Sequence, residues 1–252
     1  MEKRKLISIV NAWDGTEFLP FLMDATLPHV EEIIIVYSNQ SNFGDMIAHD
    51  FYEMEAFAKA IQWEPNTGLP PHKNEAAKRN FGLKCAIERG ATHIIMQDVD
   101  EFYDADEFER DKELIYRYDL NGLVCGLRVY VKEPTLWCHD HTLVPFIQKV
   151  TPGLQFGSFK TYPFAYDKKG EAHIDPTRRT NQTKGIEWSD ITMHHYSWVR
   201  QHIDMKINNS SAKKNLLKST IKEDLANAAP GYYCKFYRDT LKECENKFGI
   251  RI

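Results

Sequence analysis

Asp98-Val-Asp100 follows directly on the apolar run Thr92-His-Ile-Ile-Met-Gln97, so two carboxylates stand one residue apart where a strand would end. In open α/β sheets ligands bind outside the carboxyl ends of the strands. Mg²⁺ or Mn²⁺ is commonly held by one or two carboxylates plus substrate phosphate oxygens, and a D-x-D step can therefore hold a metal diphosphate. The same acids also suit the start of the next segment, Phe102 to Tyr118, whose first turn is rich in Asp and Glu as a helix dipole favours. Further candidate ligands, His194-His195, lie in the strand-like run Ile191 to Tyr196. A strand sends neighbouring side chains to opposite faces, so only one of the two imidazoles can join the metal. His139-Asp-His141 offers another N/O set, in an irregular region and without a third partner.

The elements that must position these groups are legible as alternation. Leu6 to Val10 is a short β-branched run ending in the polar turn Asn11-Ala-Trp-Asp-Gly15, and Phe18 to Leu27 is helical in period, with Thr16 as N-cap and Pro20 tolerated in the first turn. Glu31 to Tyr37 is apolar on consecutive positions, as a strand covered on both faces would be. Residues 45 to 60 read as a helix and Ile61 to Trp63 as a third short strand. A helix over Lys73 to Arg89 is expected to bury a stripe through Ala77, Phe81, Cys85 and Ile87/Glu88, with Gly90 as its stop. Three strand–helix alternations in the first hundred residues predict βαβ units and a parallel sheet. Leu123 to Val131 alternates as a strand with one better-buried face, residues 132 to 184 predict short strands and loops, and helices are expected over roughly 198 to 226 and 235 to 247.

Composition bounds the class. The chain has 252 residues, 42% of them apolar, with 32 Lys+Arg against 36 Asp+Glu and a formal charge of −4. That is the make-up of a packed globular domain, and it gives no electrostatic reason for general attraction to nucleic acid or anionic lipid. Cys85, Cys125, Cys138, Cys234 and Cys244 are scattered and lack C-x2-C spacing, which fits free thiols in a reducing compartment. No run approaches the apolar length of a signal core or a membrane span. The expectation is a soluble, cytoplasmic protein without integral membrane association.

The string His93-Ile-Ile-Met-Gln-Asp-Val-Asp-Glu-Phe-Tyr103, preceded by Asn74-Glu-Ala-Ala-Lys-Arg-Asn-Phe-Gly-Leu83, resembles the core of family-2-like glycosyltransferases of the GT-A fold. There a helix beginning near an Arg-Asn-x-Gly pattern leads into the strand that carries D-x-D. The resemblance spans roughly residues 5 to 131, with a looser echo at Met193-His-His-Tyr-Ser-Trp-Val-Arg200. It implies an α/β fold of the nucleotide-diphospho-sugar transferase type, a Rossmann-like mixed sheet flanked by helices. Residues 1–131 would form the donor half of one domain, 132–200 the acceptor half and 201–252 a C-terminal helical extension. The loop Asn11, Ala12, Trp13 and Asp14 would edge the nucleotide base. Asn39 and Gln40 stand where such enzymes often carry an acid toward uracil or ribose, and here the nearest acid is Asp45. Lys78 and Arg79 would lie near the diphosphate, Asp98 and Val99 against the donor, Asp98 on ribose or metal, and Asp100 on the metal itself. His195, with His194 as the alternative, would complete the metal shell.

The implied activity is a Mn²⁺- or Mg²⁺-dependent hexosyltransferase that takes a nucleotide-diphospho-sugar, a UDP-sugar such as UDP-glucose, as donor, with inversion. Inversion needs a carboxylate within reach of the acceptor hydroxyl. Asp190 is the first choice by position and neighbours, Asp175 the second, and Glu171 stands behind them. Trp137, Trp188 and Trp198 are candidates to stack on sugar faces, and the lysine-bearing stretch Lys206 to Lys222 is either a solvated helical pair or a mobile basic lid. The acceptor is left open among saccharide, lipid-linked sugar, protein and modified nucleic-acid base. The rival readings are a sugar-phosphate nucleotidyltransferase, against which the single Gly and lack of Lys or Arg in Asn11 to Gly15 count, and a non-catalytic nucleotide- or sugar-binding module.

Overall fold

The structure, a computed structural model, describes residues 4–46, 60–157, 174–182, 184–209 and 215–252. Strands Leu6–Ala12 (β1), Glu32–Tyr37 (β2), Ala60–Gln62 (β3) and His93–Asp98 (β4) run parallel in the order β3-β2-β1-β4. Beyond β4 the sheet becomes mixed: Leu136–Lys149 (β7) pairs antiparallel with β4 and with Gly122–Val131 (β6). Ile186–Trp198 (β8) lies parallel to β6, and Glu101–Phe102 (β5) closes the far edge. Helices Leu19–Thr26 (α1) and Ala105–Tyr118 (α3) cover one face and Pro71–Glu88 (α2) the other. The chain is thus a mixed sheet flanked by helices.

β1 alternates its side chains between two cores, Ile7 and Ile9 under α2, Val10 and Ala12 under α1, which is why its sequence is apolar without a period of two. α2 approaches the sheet most closely at Gly82, where a Cβ would meet Ile9 Cγ2 at 2.5 Å and Val36 Cγ2 at 3.2 Å. Its buried face is Asn74, Lys78, Arg79, Gly82, Leu83 and Ala86. The expected stripe through Ala77, Phe81, Cys85 and Ile87 is therefore displaced, because the N-terminal half of the helix overhangs the carboxyl edge of the sheet and buries charge there instead of carbon.

Other expectations also shift. Thr16 does not cap α1: Thr16–Phe18 is a 3-10 turn entered through Gly15 at φ 89°, and Pro20 does sit in the helix's first turn. The irregular stretch expected after residue 132 holds the 14-residue strand β7, with Pro145 at a register shift against β6 where its missing N–H is tolerated. β8 begins five residues before its expected start. Two helices follow it, Ile203–Asn209 (α4) and Asn215–Asn227 (α5), but no helix spans 235–247. Tyr233–Cys234 (β9) and Asp239–Thr240 (β10) form a hairpin there, and Lys242–Glu243 (β11) joins the edge of β7. The buried Asp224 carboxylate of α5 accepts from Lys235 N at 3.0 Å and Phe236 N at 2.9 Å, which fixes the chain as a turn rather than a helix. The helix expected over 45–60 falls almost wholly outside the described residues. All five cysteines are free thiols. Among the described residues no helix is long and apolar enough to cross a membrane.

Candidate active site

The D-x-D step is positioned by a short crossing of the sheet. After β4 the chain turns and β5 pairs with β8, setting Glu101 opposite His195. Tyr196 N donates to Asp100 O at 2.8 Å and Asp98 N donates to Glu101 Oε2 at 2.8 Å, so the backbone of the step is tied to both sides. Capping of α3 is left to Asp104, whose Oδ1 accepts from Asp106 N at 3.0 Å and Glu107 N at 3.1 Å. Asp98 and Asp100 are thereby released from that duty and line a cavity of about 660 Å³ over the carboxyl edge of the parallel strands.

Charge in the cavity is dense and almost entirely paired. Asp98 lies between Arg79, 3.3 Å away, and Arg178 Nη2 at 2.8 Å. Arg178 also holds the fully buried Glu101 through both terminal nitrogens and reaches Asp175 Oδ2 at 3.2 Å through Nε. Asp100 Oδ2 takes Arg200 Nη2, Lys206 Nζ at 3.4 Å and stands 3.6 Å from His195 Nε2. Arg200 bridges on to Asp14 at 3.0 Å and fits only because residue 15 is glycine, where a Cβ would lie 2.5 Å from its Nη1. Burial acts to raise the Asp98 and Asp100 carboxyls, but Arg79 and Arg178 on the first, and Lys206 and Arg200 on the second, overcome it and hold both below the usual carboxylate range. Burial brings Lys78 down to about 7, and its Nζ donates to Ala12 O at 2.6 Å.

Many residues singled out in the sequence meet here. Asn11, Trp13, Asp14, Gln40, Lys78, Arg79, Asp98, Val99, Asp100, Asp175 and His195 line the cavity. Ala12 accepts from Lys78 through its carbonyl, and neither Ala12 nor Asn39 is among the residues that line the cavity. Trp13 Nε1 and Asn11 Oδ1 are buried without a hydrogen-bond partner among the described residues, which leaves one donor and one acceptor for a ligand. Asp190 is not brought to the site: it is exposed on β8, 3.4 Å from Trp188 Nε1, and does not line the cavity. Asp175, the second candidate by chain position, does line the cavity. Glu171 lies outside the described residues. Of the three tryptophans considered for stacking on a sugar, Trp198 lines the cavity, Trp137 packs under Arg128 at 4.4 Å and Trp188 is exposed. His139 and His141 are exposed on β7, and among the described residues no group of three His, Cys, Asp or Glu side chains is placed to hold a metal. Of the lysine stretch, Lys206 reaches the site, Lys222 pairs with Asp204, and Lys213 and Lys214 lie outside the described residues.

No protein-family model and no curated protein matches the sequence. Among solved structures, the crystal structure of S. aureus TarS matches over 88% of this chain at 13% identity and a TM-score of 0.45, and this chain spans 43% of its length. TarS 1–349 in complex with UDP-GlcNAc matches over 89% of this chain and 72% of its own, at 14% identity and a TM-score of 0.47. The UDP complex of the same fragment gives 15% identity and 0.45. At such values the functional reading has to come from this chain's own residues.

Several of those residues carry no signal in the sequence. Arg178 sits in an Arg178-Arg179 pair within an aperiodic stretch, and nothing local separates the buried one from its neighbour. Glu101 reads as one more helix-dipole acid. The two histidines do separate: His194 is buried, with Nδ1 2.7 Å from the Tyr130 hydroxyl, on the face away from the cavity. Burial, with Arg128 next, pushes it down from 6.5 to about 3. The unfolded chain therefore takes up this proton below pH 6.5 while the folded chain does not, so stability is lost as pH falls from about 6.5 toward 3. His194→Gln, with no proton to take up, should lack about 2 kcal/mol of the stability change between pH 7 and pH 5 in urea titrations. Parallel pH dependences of the two proteins would contradict a neutral, buried imidazole.

Proposed function

We propose that the chain is a glycosyltransferase that moves a sugar from a nucleotide-diphospho-sugar, a UDP-sugar such as UDP-glucose, to an acceptor hydroxyl. The observation that carries this reading is the convergence of Asp98 and Asp100 with Lys78, Arg79, Arg178, Arg200 and Lys206 at the carboxyl edge of parallel strands. Guanidinium forks and ammonium groups there suit the leaving diphosphate, whose charge grows as the glycosidic bond breaks. The loops after β1 and β2, with the unpartnered Trp13 Nε1 and Asn11 Oδ1, suit the nucleoside end.

The donor set also suits Mn²⁺ or Mg²⁺. Asp100 Oδ2 and His195 Nε2 are 3.6 Å apart. These two side chains, one oxygen and one imidazole nitrogen donor at the cavity wall, are the ones that would hold such an ion. With two protein ligands, diphosphate oxygens and water would fill the remaining positions. When bound, such an ion neutralises charge on the leaving group. Arg200 and Lys206, which share that Asp100 oxygen, would then turn to the diphosphate. Asp175, with Oδ1 oriented by Thr177 N at 2.9 Å and Thr177 Oγ1 at 2.8 Å, takes the proton of the acceptor hydroxyl. The acceptor oxygen bonds to the anomeric carbon, the bond to the diphosphate oxygen breaks, and configuration inverts.

Thermal shift and UDP release with a panel of nucleotide sugars, with and without Mn²⁺, test the reading. Asp175→Asn should slow transfer by about a hundredfold or more with UDP affinity nearly unchanged, and Asp190→Asn should stay within about twofold of wild type. Binding without turnover would make the chain a binding module. Pyrophosphate release from a nucleoside triphosphate and a sugar phosphate would make it a nucleotidyltransferase.

A further inference from the structure

The side of the cavity formed by β6, β7 and β8 is chemically unlike the rest. Seven carboxylates and five basic side chains line the cavity, and all five basic ones stand at the Asp98–Asp100 end. Six of the carboxylates are ion-paired there, Asp14 with Arg200 and Glu75 with Arg79 among them. The seventh, Asp140, accepts a hydrogen bond from Thr142 N at 2.8 Å and pairs with no cation among the described residues. Register places it opposite Leu127 on β6, itself opposite Met193 on β8. With strands about 4.8 Å apart and a rise of about 3.3 Å per residue, its Cα lies about 12 Å from that of His195, which leaves room for a ring between them.

Around Asp140 the lining is aromatic: Trp198, Phe236 and Tyr237. These rings are pinned in place. Trp198 Nε1 donates to Tyr237 Oη at 2.5 Å, Phe236 and Tyr237 meet edge to face at 4.8 Å, and Asp224 holds the turn from beneath. A rigid aromatic wall with one unpaired carboxylate matches a polyol that has apolar C–H faces and hydroxyl edges, whereas a phosphorylated acceptor would meet Asp140 as a like charge.

We infer that Asp140, Trp198, Phe236 and Tyr237 form the acceptor subsite and that the acceptor is an uncharged saccharide. The inference rests on the transferase reading and names its second substrate. The aromatic rings take the face of the acceptor sugar, Asp140 accepts from a hydroxyl that does not react, and the reacting hydroxyl is turned toward Asp175 and the donor.

Two measurements on the full chain separate this inference from the reading it rests on. Saturation-transfer NMR with methyl glycosides, maltose and cellobiose, against sugar phosphates, needs no donor. At least one neutral saccharide should bind, the phosphates should not, and the signal should be lost in Tyr237→Ala and weakened at least fivefold in Asp140→Asn. With UDP-glucose present, the same saccharide should accelerate UDP release, with its KM raised at least tenfold in Tyr237→Ala and UDP affinity within twofold of wild type. Trp188→Ala, outside the cavity, should leave that KM unchanged. Tyr237→Phe keeps the packing and serves if the alanine variant does not fold. Saccharide binding without UDP-glucose turnover would keep the subsite and overturn the donor. Preference for sugar phosphates, or neutral-saccharide binding equal in wild type, Asp140→Asn and Tyr237→Phe, would overturn the subsite.

Discussion

Asp100→Asn is expected to lower sugar transfer by a factor of about 10²–10³ or more, the largest effect on activity of any single change in the cavity. The side chain keeps its size but loses the charge that faces His195 Nε2 at 3.6 Å and the Arg200 and Lys206 cations. The fold should survive with a moderate loss of stability, because Arg200 retains Asp14 at 3.0 Å and Lys206 is partly exposed and can turn to water. The change should therefore be read with a melting curve alongside UDP binding. In chelator-treated buffer with added Mn²⁺, the variant should need far more ion than wild type to bind UDP. Wild-type transfer under those conditions would sink the assignment of Asp100, and a melting curve collapsed to the unfolded baseline would make the residue a structural one.

What the sequence made legible follows the period of its local signals. The parallel strands β1, β2 and β4 are covered on both faces, so their apolar runs are continuous and visible, and the acidic step at the end of β4 announces the carboxyl edge where ligands bind. β7 was hidden because Pro145, paired charges and aromatics break its alternation, although register with β6 and burial at Leu143 to Gln148 hold it as a strand. The last turn hairpin was hidden for a different reason: Lys235 to Lys247 has helical composition, and the tertiary contact with Asp224 overrides it. The site divides the same way. Asp98, Arg79 and His195 lie on regular elements and Asp100 in the tight turn directly after β4, so their place at the cavity is readable from the local pattern. Arg178 and Asp175 lie in the described segment 174–182, within which no helix or strand forms, so Asp175 is readable only as a candidate and Arg178 not at all; Asp140 becomes recognisable through its cross-strand neighbours and its lack of a cation among the described residues. Asp190 stands exposed on β8 and outside the cavity lining, whereas Asp175 lines it, a difference that chain position does not carry.

The largest effect on stability is expected at Arg178. Arg178→Met removes the only cation among the described residues that is bonded to Glu101, which is fully buried, and such a loss typically costs about 3–5 kcal/mol. Asp98 is also left with one arginine, but at 32% exposure it can be rehydrated, so most of the cost belongs to Glu101. Glu101→Gln should be much milder, since Gln still accepts from Asp98 N and Arg178 keeps Asp98 and Asp175. The combination Arg178→Met/Glu101→Gln should then recover stability to within about 1–2 kcal/mol of wild type, because no unpaired charge remains in the interior. UDP affinity should not recover with it, since the guanidinium beside Asp98 is still missing from the diphosphate end of the cavity. Urea unfolding and calorimetric UDP titration of the four proteins separate the two roles. Full recovery of both stability and UDP affinity in the double variant would make Arg178 a support for Glu101 alone, and wild-type stability in Arg178→Met would mean that Glu101 is not charged in the folded chain.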